Sequence, residues 1–236
     1  MKKIQSPEIP IKKGLKKSKL WLIGIDEVGR GPLAGPVTLC AFGIQTSDSD
    51  FRKNFSTKYP NLILNDSKKI TEKKREQIDK ALRNEINKNK TNEPYKFLIK
   101  SKSAKDIDKL GISICIHEII KNLLKNFIKS LGISEGQVCI LLDGGLKAPP
   151  EFVDQETHIK GDVKFAVISA ASILAKVHRD RYMRNLLNKD KNLAKYGFDI
   201  HKGYGTKKHI ESIKKNGLSK EHRITFLKKL ITFNKI

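Results

Sequence analysis

Cysteine is scarce in this chain of 236 residues: Cys40, Cys115 and Cys139 are the whole supply. The number is odd, each lies in an apolar run, and no pair has metal-ligand spacing. A disulfide framework and a cysteine zinc site are therefore excluded, and the three read as small core residues in a reducing cytoplasm. Long apolar runs are also missing. No stretch approaches the roughly 18 uninterrupted apolar residues of a membrane span, and the N-terminal lysines have no hydrophobic segment behind them. The expectation is a cytoplasmic protein with no membrane partner. Acids are the third shortage, with 25 Asp and Glu against 48 Lys and Arg, a formal charge of +23. Part of that excess follows from a base composition that raises Lys, Asn and Ile together. The remainder points to a polyanionic partner.

The basic residues gather at both ends. Residues 1–20 hold seven lysines against Glu8, and residues 201–236 hold ten Lys and Arg against Glu211 and Glu221. The first segment reads as a flexible basic arm that adds affinity for a polyanion without setting specificity. Residues 21–236 are enough for one well-buried domain, with little left for a second.

Against this basic background, a few acids stand beside apolar or glycine-containing sequence. The most informative segment is I-D-E-V-G-R-G-P-L-A-G-P-V, from Ile25 to Val37. A short apolar strand, residues 21–27, runs into Asp26 and Glu27 and then into a Gly/Pro loop, and a buried strand does not end on two unpaired negative charges without a positive partner. Side chains alternate along a strand, so both acids serve one site only if the strand is ending and the Gly29-Arg30-Gly31 turn bends the chain. Two carboxylates about 4 Å apart repel by roughly 4 kcal/mol at an effective dielectric of 20. A divalent cation reverses that penalty, and oxygen-only ligands favour Mg²⁺ or Mn²⁺ over zinc.

Further along, residues 37–44 and 95–100 read as strands, and Thr71 is placed to cap a helix running to about Asn87. Between Ile112 and Leu131 apolar residues recur at threes and fours, the mark of an amphipathic helix, which Gly132 is placed to stop. The apolar run 138–142 ends on Asp143-Gly144-Gly145, so a second strand delivers a carboxylate at its C-terminal end. If the two strands are neighbours, their acids converge where open α/β sheets gather ligands. A short strand near 158–160 precedes Gly161-Asp162, and a long helix follows from Phe165 to about Leu187. The small residues near its start, Ser169 to Ser172, permit close packing on the sheet.

These segments together are specific: the chain resembles bacterial ribonuclease HII, the type-2 RNase H family. The resemblance runs from about Trp21 to Phe226. It rests on D-E-V-G-R-G-P at 26–32, N-D-S-K-K at 65–69, L-L-D-G at 141–144, K-G-D at 160–162, S-A-A-S-I-L-A-K-V at 169–177 and H-K-G-Y-G-T at 201–206. It implies an α/β, RNase H-like mixed sheet flanked by helices, with a helical C-terminal extension, and a catalytic domain over 21–236. It implies cleavage of RNA in RNA–DNA hybrids and incision 5′ of single ribonucleotides in duplex DNA, leaving 5′-phosphate and 3′-hydroxyl ends. Asp26, Glu27, Asp143 and Asp162 correspond to the acidic tetrad of a two-metal Mg²⁺ or Mn²⁺ site. Asp162 has a second reading as a cap for the helix starting near Phe165, and Asp180 matches a structural position.

Gly29, Arg30 and Gly31 match the family segment that reads the ribonucleotide through close backbone approach. Tyr204 matches the tyrosine that stacks on a sugar at the RNA-to-DNA junction. Lys68, Lys69, Lys176 and Lys202 are candidate phosphate contacts, His201 is near enough in sequence to orient Tyr204, and His117 reads as a surface or core-edge residue. Ribonuclease HIII shares an acidic G-R-G start, but twenty basic residues cannot build its extra N-terminal domain. A catalytically silent nucleic-acid-binding protein is the alternative from another class, and four acidic tetrad positions argue against it. A monomer is expected, and residues 230–236 show no convincing motif for docking on a sliding clamp.

Overall fold

A computed structural model describes residues 21–46, 51–64, 70–88 and 94–232. The basic arm expected at residues 1–20 lies outside them, as do Lys68, Lys69 and the last four residues.

The described chain runs β1 (Trp21–Val28), β2 (Val37–Gln45), α1 (Phe51–Lys58), α2 (Glu72–Lys88), β3 (Tyr95–Lys102), α3 (Ala104–Leu110) and α4 (Ile112–Leu131). It continues through β4 (Val138–Asp143), β5 (Gln155–His158), α5 (Gly161–Lys164), α6 (Ala166–Lys189), α7 (Phe198–His201), α8 (Lys207–Asn216) and α9 (Ile224–Thr232). The five strands form one sheet in the order β3-β2-β1-β4-β5. β1 pairs antiparallel with β2 and parallel with β4, so the sheet is mixed, as expected. No helix of the described residues is long and apolar enough to cross a membrane.

Each face of the sheet buries its own layer. The periodic stripe of α4 places Ile119, Leu123, Leu124 and Phe127 against Ile23, Ile25 and Ile140. Phe127 meets Trp21 edge to face, with ring centroids 5.7 Å apart. Each such fully buried side chain contributes roughly 1.5–3 kcal/mol. Gly132 ends α4 in the left-handed region, φ 64, as its position foretold. Thr71 does cap the start of α2, accepting from the Lys74 amide at 3.3 Å.

The opposite face is covered by α1, α2 and α6. α6 lies almost against the backbone of β1: a Cβ on Gly24 would fall 2.4 Å from the Val167 carbonyl carbon and 2.5 Å from the Ile168 nitrogen. Only glycine on the strand permits this approach to the helix backbone. α2 is tied to α6 by ion pairs, with Arg181 bridging Asp79 and Glu76 and Arg184 bridging Glu72 and Glu76.

One strand differs from expectation. The fifth strand is Gln155–His158, not 158–160, because Lys160 adopts φ 56 and turns the chain into α5. All three cysteines are free, Cys40 and Cys115 fully buried and Cys139 partly so.

Candidate active site

β1 and β4 pair in parallel up to Ile25 and Leu142, so the next residue of each strand, Asp26 and Asp143, lies just beyond the last β1–β4 pair, side by side while each still pairs with its outer neighbour. The convergence expected from two acid-ended strands is thus a consequence of their adjacency. They open into a cleft of about 280 Å³ lined by Asp26, Glu27, Asp143, Asp162, Ser172 and Lys176, together with the Gly29-Arg30-Gly31 turn, Gly144, Gly145 and Tyr204. Most of the residues singled out in the sequence therefore meet in one place.

β1 does not end before the acid pair; it continues through both to Val28. The side chains alternate, as they must in a strand. Asp26 is buried at 6% exposure toward α6, and Glu27 departs from the other face and reaches the cleft with its longer side chain. The Asp26 carboxylate accepts from the Glu27 amide at 2.6 Å and from the Ser172 hydroxyl. Burial, opposed by the Ser172 hydrogen bond and reinforced by the Asp143 and Asp162 charges, raises its pKa from 3.8 to about 7. Asp143 accepts from the Gly161 amide at 2.6 Å, which fixes one of its oxygens. Asp162 sits within α5 and is buried. It is not the cap of α6, whose N-cap is Phe165 with no side-chain cap bond.

One oxygen of Glu27 pairs with the Arg30 guanidinium at 3.2 Å; the other, Oε2, is buried with no partner among the described residues. An orphaned carboxylate oxygen, an all-oxygen donor set and mutual repulsion on Asp26 suit a hard divalent cation. Among the described residues no three His, Cys, Asp or Glu side chains are drawn together closely enough to hold an ion as they stand.

Lys176 forms an ion pair with Asp180 at 2.8 Å, and its ammonium lies 5.8 Å from the centre of the Tyr204 ring. Asp180 is thus structural, as read, yet it works by holding a cation on the cleft wall. Tyr204 presents 41% of its surface. Lys202 departs from expectation: it is buried, outside the cleft, with its ammonium bonded to the Asp199 carbonyl. Its left-handed backbone, φ 53, turns the side chain inward. His117 is exposed on α4.

Several residues at the site carry no signal in sequence. Arg179 and Arg223 are fully buried, and each hydrogen-bonds to backbone carbonyls. Arg179 donates to Pro36, Lys202 and Ala34, and Arg223 to Gly35, Arg30 and Gly29. Between them they pin the Gly/Pro loop to α6 and to the segment around Gly203. Gly29, with φ 85, has no room for a Cβ, which would fall 2.2 Å from Arg179 Nε, whereas a Cβ on Gly31 meets nothing within 4 Å. The first glycine serves the fold, and the second leaves open space beside the acids.

Tyr204 is fixed from behind by histidines. His201 accepts from the Gly203 amide at 3.2 Å, so it orients the neighbouring residue. The Tyr204 carbonyl itself bonds to Nδ1 of His209 at 2.9 Å. His209 Nε2 faces His222 Nε2 at 3.1 Å, and His222 Nδ1 accepts from the Ser219 amide at 2.8 Å. One proton arrangement satisfies the three contacts of this pair: His222 accepts from Ser219 and donates to His209, and His209 donates to the Tyr204 carbonyl. Both imidazoles are neutral, and burial lowers each pKa from 6.5 to about 4.

The unfolded chain takes up protons between pH 6.5 and 4 that the fold refuses, so this stability is full above pH 6.5 and is lost as pH falls toward 4. The expected loss is roughly 3 kcal/mol per imidazole, and less than double for the coupled pair. Urea unfolding at pH 7.5 and 4.5 measures it. A His209→Gln/His222→Gln chain with the same pH dependence as the parent would show the pair to be irrelevant.

Comparison with known proteins agrees across most of the chain. The Ribonuclease HII family model matches residues 23–230. Ribonuclease HII of Fusobacterium nucleatum is 40% identical over 212 residues, covering 89% of this chain and 87% of the relative. That of Aliarcobacter butzleri is 40% identical over 215 residues, covering 91% and 95%. Among solved structures, the PCNA:RNase HII complex from Archaeoglobus fulgidus matches with a TM-score of 0.62 at 23% identity, over 87% of this chain and 94% of that one. Bst-RNase HIII in complex with Mn²⁺ matches with a TM-score of 0.67 at 17% identity, over 92% and 70%. At these identities the structures establish the shared fold.

Proposed function

The chain belongs to the ribonuclease HII family and is a ribonuclease H, and we propose that it incises 5′ of single ribonucleotides in duplex DNA as well as cutting RNA in RNA–DNA hybrids. The products are 5′-phosphate and 3′-hydroxyl ends. The observation that carries this reading is the delivery of Asp26 and Asp143 by adjacent parallel strands into one cleft with Glu27, Asp162 and a glycine turn whose outer side is open.

Asp26, Glu27, Asp143 and Asp162 are the residues that would hold Mg²⁺ or Mn²⁺. The chemistry such ions supply when bound is activation of water at neutral pH and stabilisation of the leaving 3′ oxygen in an in-line displacement. The chain's own part is positioning. Ser172 and the Glu27 amide orient Asp26, the Gly161 amide orients Asp143, and Arg30 holds one oxygen of Glu27. Lys176, steadied by Asp180, places positive charge where a backbone phosphate passes. The Tyr204 ring offers a stacking face for a sugar or base, and the open side of Gly31 lets the backbone reach the 2′-hydroxyl that separates RNA from DNA.

Cleavage of a duplex carrying one ribonucleotide, with Mg²⁺, Mn²⁺ or EDTA beside an all-DNA control, tests the proposal. Incision on the 5′ side, dependent on the cation and absent from the control, is the expected result. Activity on long hybrids alone would remove the single-ribonucleotide reading and leave the acid site.

A further inference from the structure

The direction in which the Gly29-Arg30-Gly31 turn presents its backbone is set by Arg223, a residue of the C-terminal extension nearly two hundred positions away. Its guanidinium takes the Gly29 carbonyl at 2.6 Å and the Arg30 carbonyl at 3.0 Å, while its Nε takes the Gly35 carbonyl at 2.9 Å. No peptide bond here is cis. In a planar trans peptide the carbonyl and the following N–H point in opposite directions. With the Gly29 and Arg30 carbonyls drawn toward Arg223, the amides of Arg30 and Gly31 project the other way. Both residues line the cleft, and neither amide donates to any of the described residues.

Two consecutive donors thus face the open side of the turn. A cation on the carbonyl end of each peptide unit strengthens the donor at its other end, since linked hydrogen bonds polarise one another. Burial and the neighbouring Arg179 charge bring the Arg223 pKa down to about 9, which leaves it charged at neutral pH. The same two carbonyls are turned toward Arg223, so the face opposite the arginine presents the amides and not these acceptors to a substrate hydroxyl.

We propose that Arg223 is a positioning residue for ribose recognition: by holding the Gly29 and Arg30 carbonyls it commits the turn to donating hydrogen bonds, through the Arg30 and Gly31 amides, to the 2′-oxygen. This rests on the sugar-reading role given to the turn above. It adds which end of the hydroxyl is read, and which distant side chain decides it. Arg179 provides an internal comparison. It is equally buried, but the carbonyls it binds, those of Ala34, Pro36 and Lys202, belong to residues that do not line the cleft.

The experiment uses the full chain made catalytically silent by Asp143→Asn and measures affinity for duplexes that differ by one 2′-hydroxyl. Without further change, the ribonucleotide duplex is expected to bind about tenfold more tightly than all-DNA, one good hydrogen-bonded contact's worth of discrimination. Adding Arg223→Lys, which keeps the charge but cannot span three carbonyls, is expected to reduce that ratio to within twofold of unity. Adding Arg181→Lys, which weakens the ion pairs of α6 with Asp79 and Glu76 on α2, is expected to lower the melting temperature and leave the ratio intact. Retention of the full ratio by Arg223→Lys, or an equal loss in both variants, would overturn the assignment. Amide resonances supply a check that requires no change at Arg223. The Arg30 and Gly31 protons should move downfield with the ribonucleotide duplex and not with all-DNA; identical positions in both complexes would also overturn it. If the silent parent binds both duplexes equally, it is the sugar-reading role of the turn that fails, a result visible before any arginine is changed.

Discussion

Replacing Asp143 with asparagine is expected to lower the cleavage rate about 1000-fold or more while hybrid affinity changes by no more than a few-fold. The rate figure corresponds to roughly 4 kcal/mol of lost transition-state stabilisation, within the several kcal/mol that cation-assisted phosphoryl chemistry supplies. The separation of rate from affinity follows from the surroundings. Asparagine retains the oxygen that accepts from the Gly161 amide, so the geometry of β4 and α5 is kept. It removes one of the two charges that press on Asp26, whose pKa of about 7 should fall only in part, because burial, the main cause of the shift, is unchanged. Binding depends mainly on positive charge, of which the chain has +23. Single-turnover cleavage and anisotropy titration on the same RNA–DNA hybrid measure the two quantities. Residual cleavage within tenfold of the parent would remove Asp143 from the chemistry. Parallel loss of rate and affinity would mean that the carboxylate organises the cleft instead.

The second large effect is on stability. Gly24→Ala is expected to cost about 3 kcal/mol, which lowers the melting temperature of a domain this size by roughly 6–12 °C. The added carbon would meet the Val167 carbonyl carbon and oxygen and the Ile168 nitrogen at 2.4–2.6 Å, and backbone atoms of a helix start cannot swing aside as a side chain can. α6 must move away from β1. That movement also separates Ser172 from Asp26, so activity should fall with stability even though Gly24 touches no substrate. Gly136→Ala, with nothing within 4 Å of its added carbon, is the matched control and should melt within about 2 °C of the parent. A Gly24→Ala protein that melts like this control would show that the helix does not bear on the strand as described.

These effects separate what was legible in the residues from what was not. Strands β1 to β4, helices α2, α4 and α6, and the acids were readable from local pattern alone. A period near 3.6 defined α4, apolar runs of strand length defined β1 and β4, and each strand's termination on a carboxylate marked Asp26 and Asp143 as unusual in so basic a chain. Local patterns carry such information because helix and strand periodicity and turn chemistry act over a few residues. The rest was decided by the tertiary structure. Adjacency of β1 and β4, not any motif, brings Asp26 beside Asp143. Glu27 joins from the opposite face through side-chain length, and Ser172 joins because α6 packs onto Gly24. Lys202 reads like any solvated lysine and is turned inward by a left-handed backbone.

Arg179, Arg223, His209 and His222 are the clearest cases. In a chain with 48 basic residues, nothing local distinguishes a cation that will be buried from one that stays in water. The two arginines depend on carbonyls of the Gly/Pro loop more than 140 positions away, and the two histidines on each other and on nearby backbone, contacts that form only when the C-terminal segment packs over that loop. Burial then makes each of those contacts necessary, because a polar group removed from water must find its partner inside the protein.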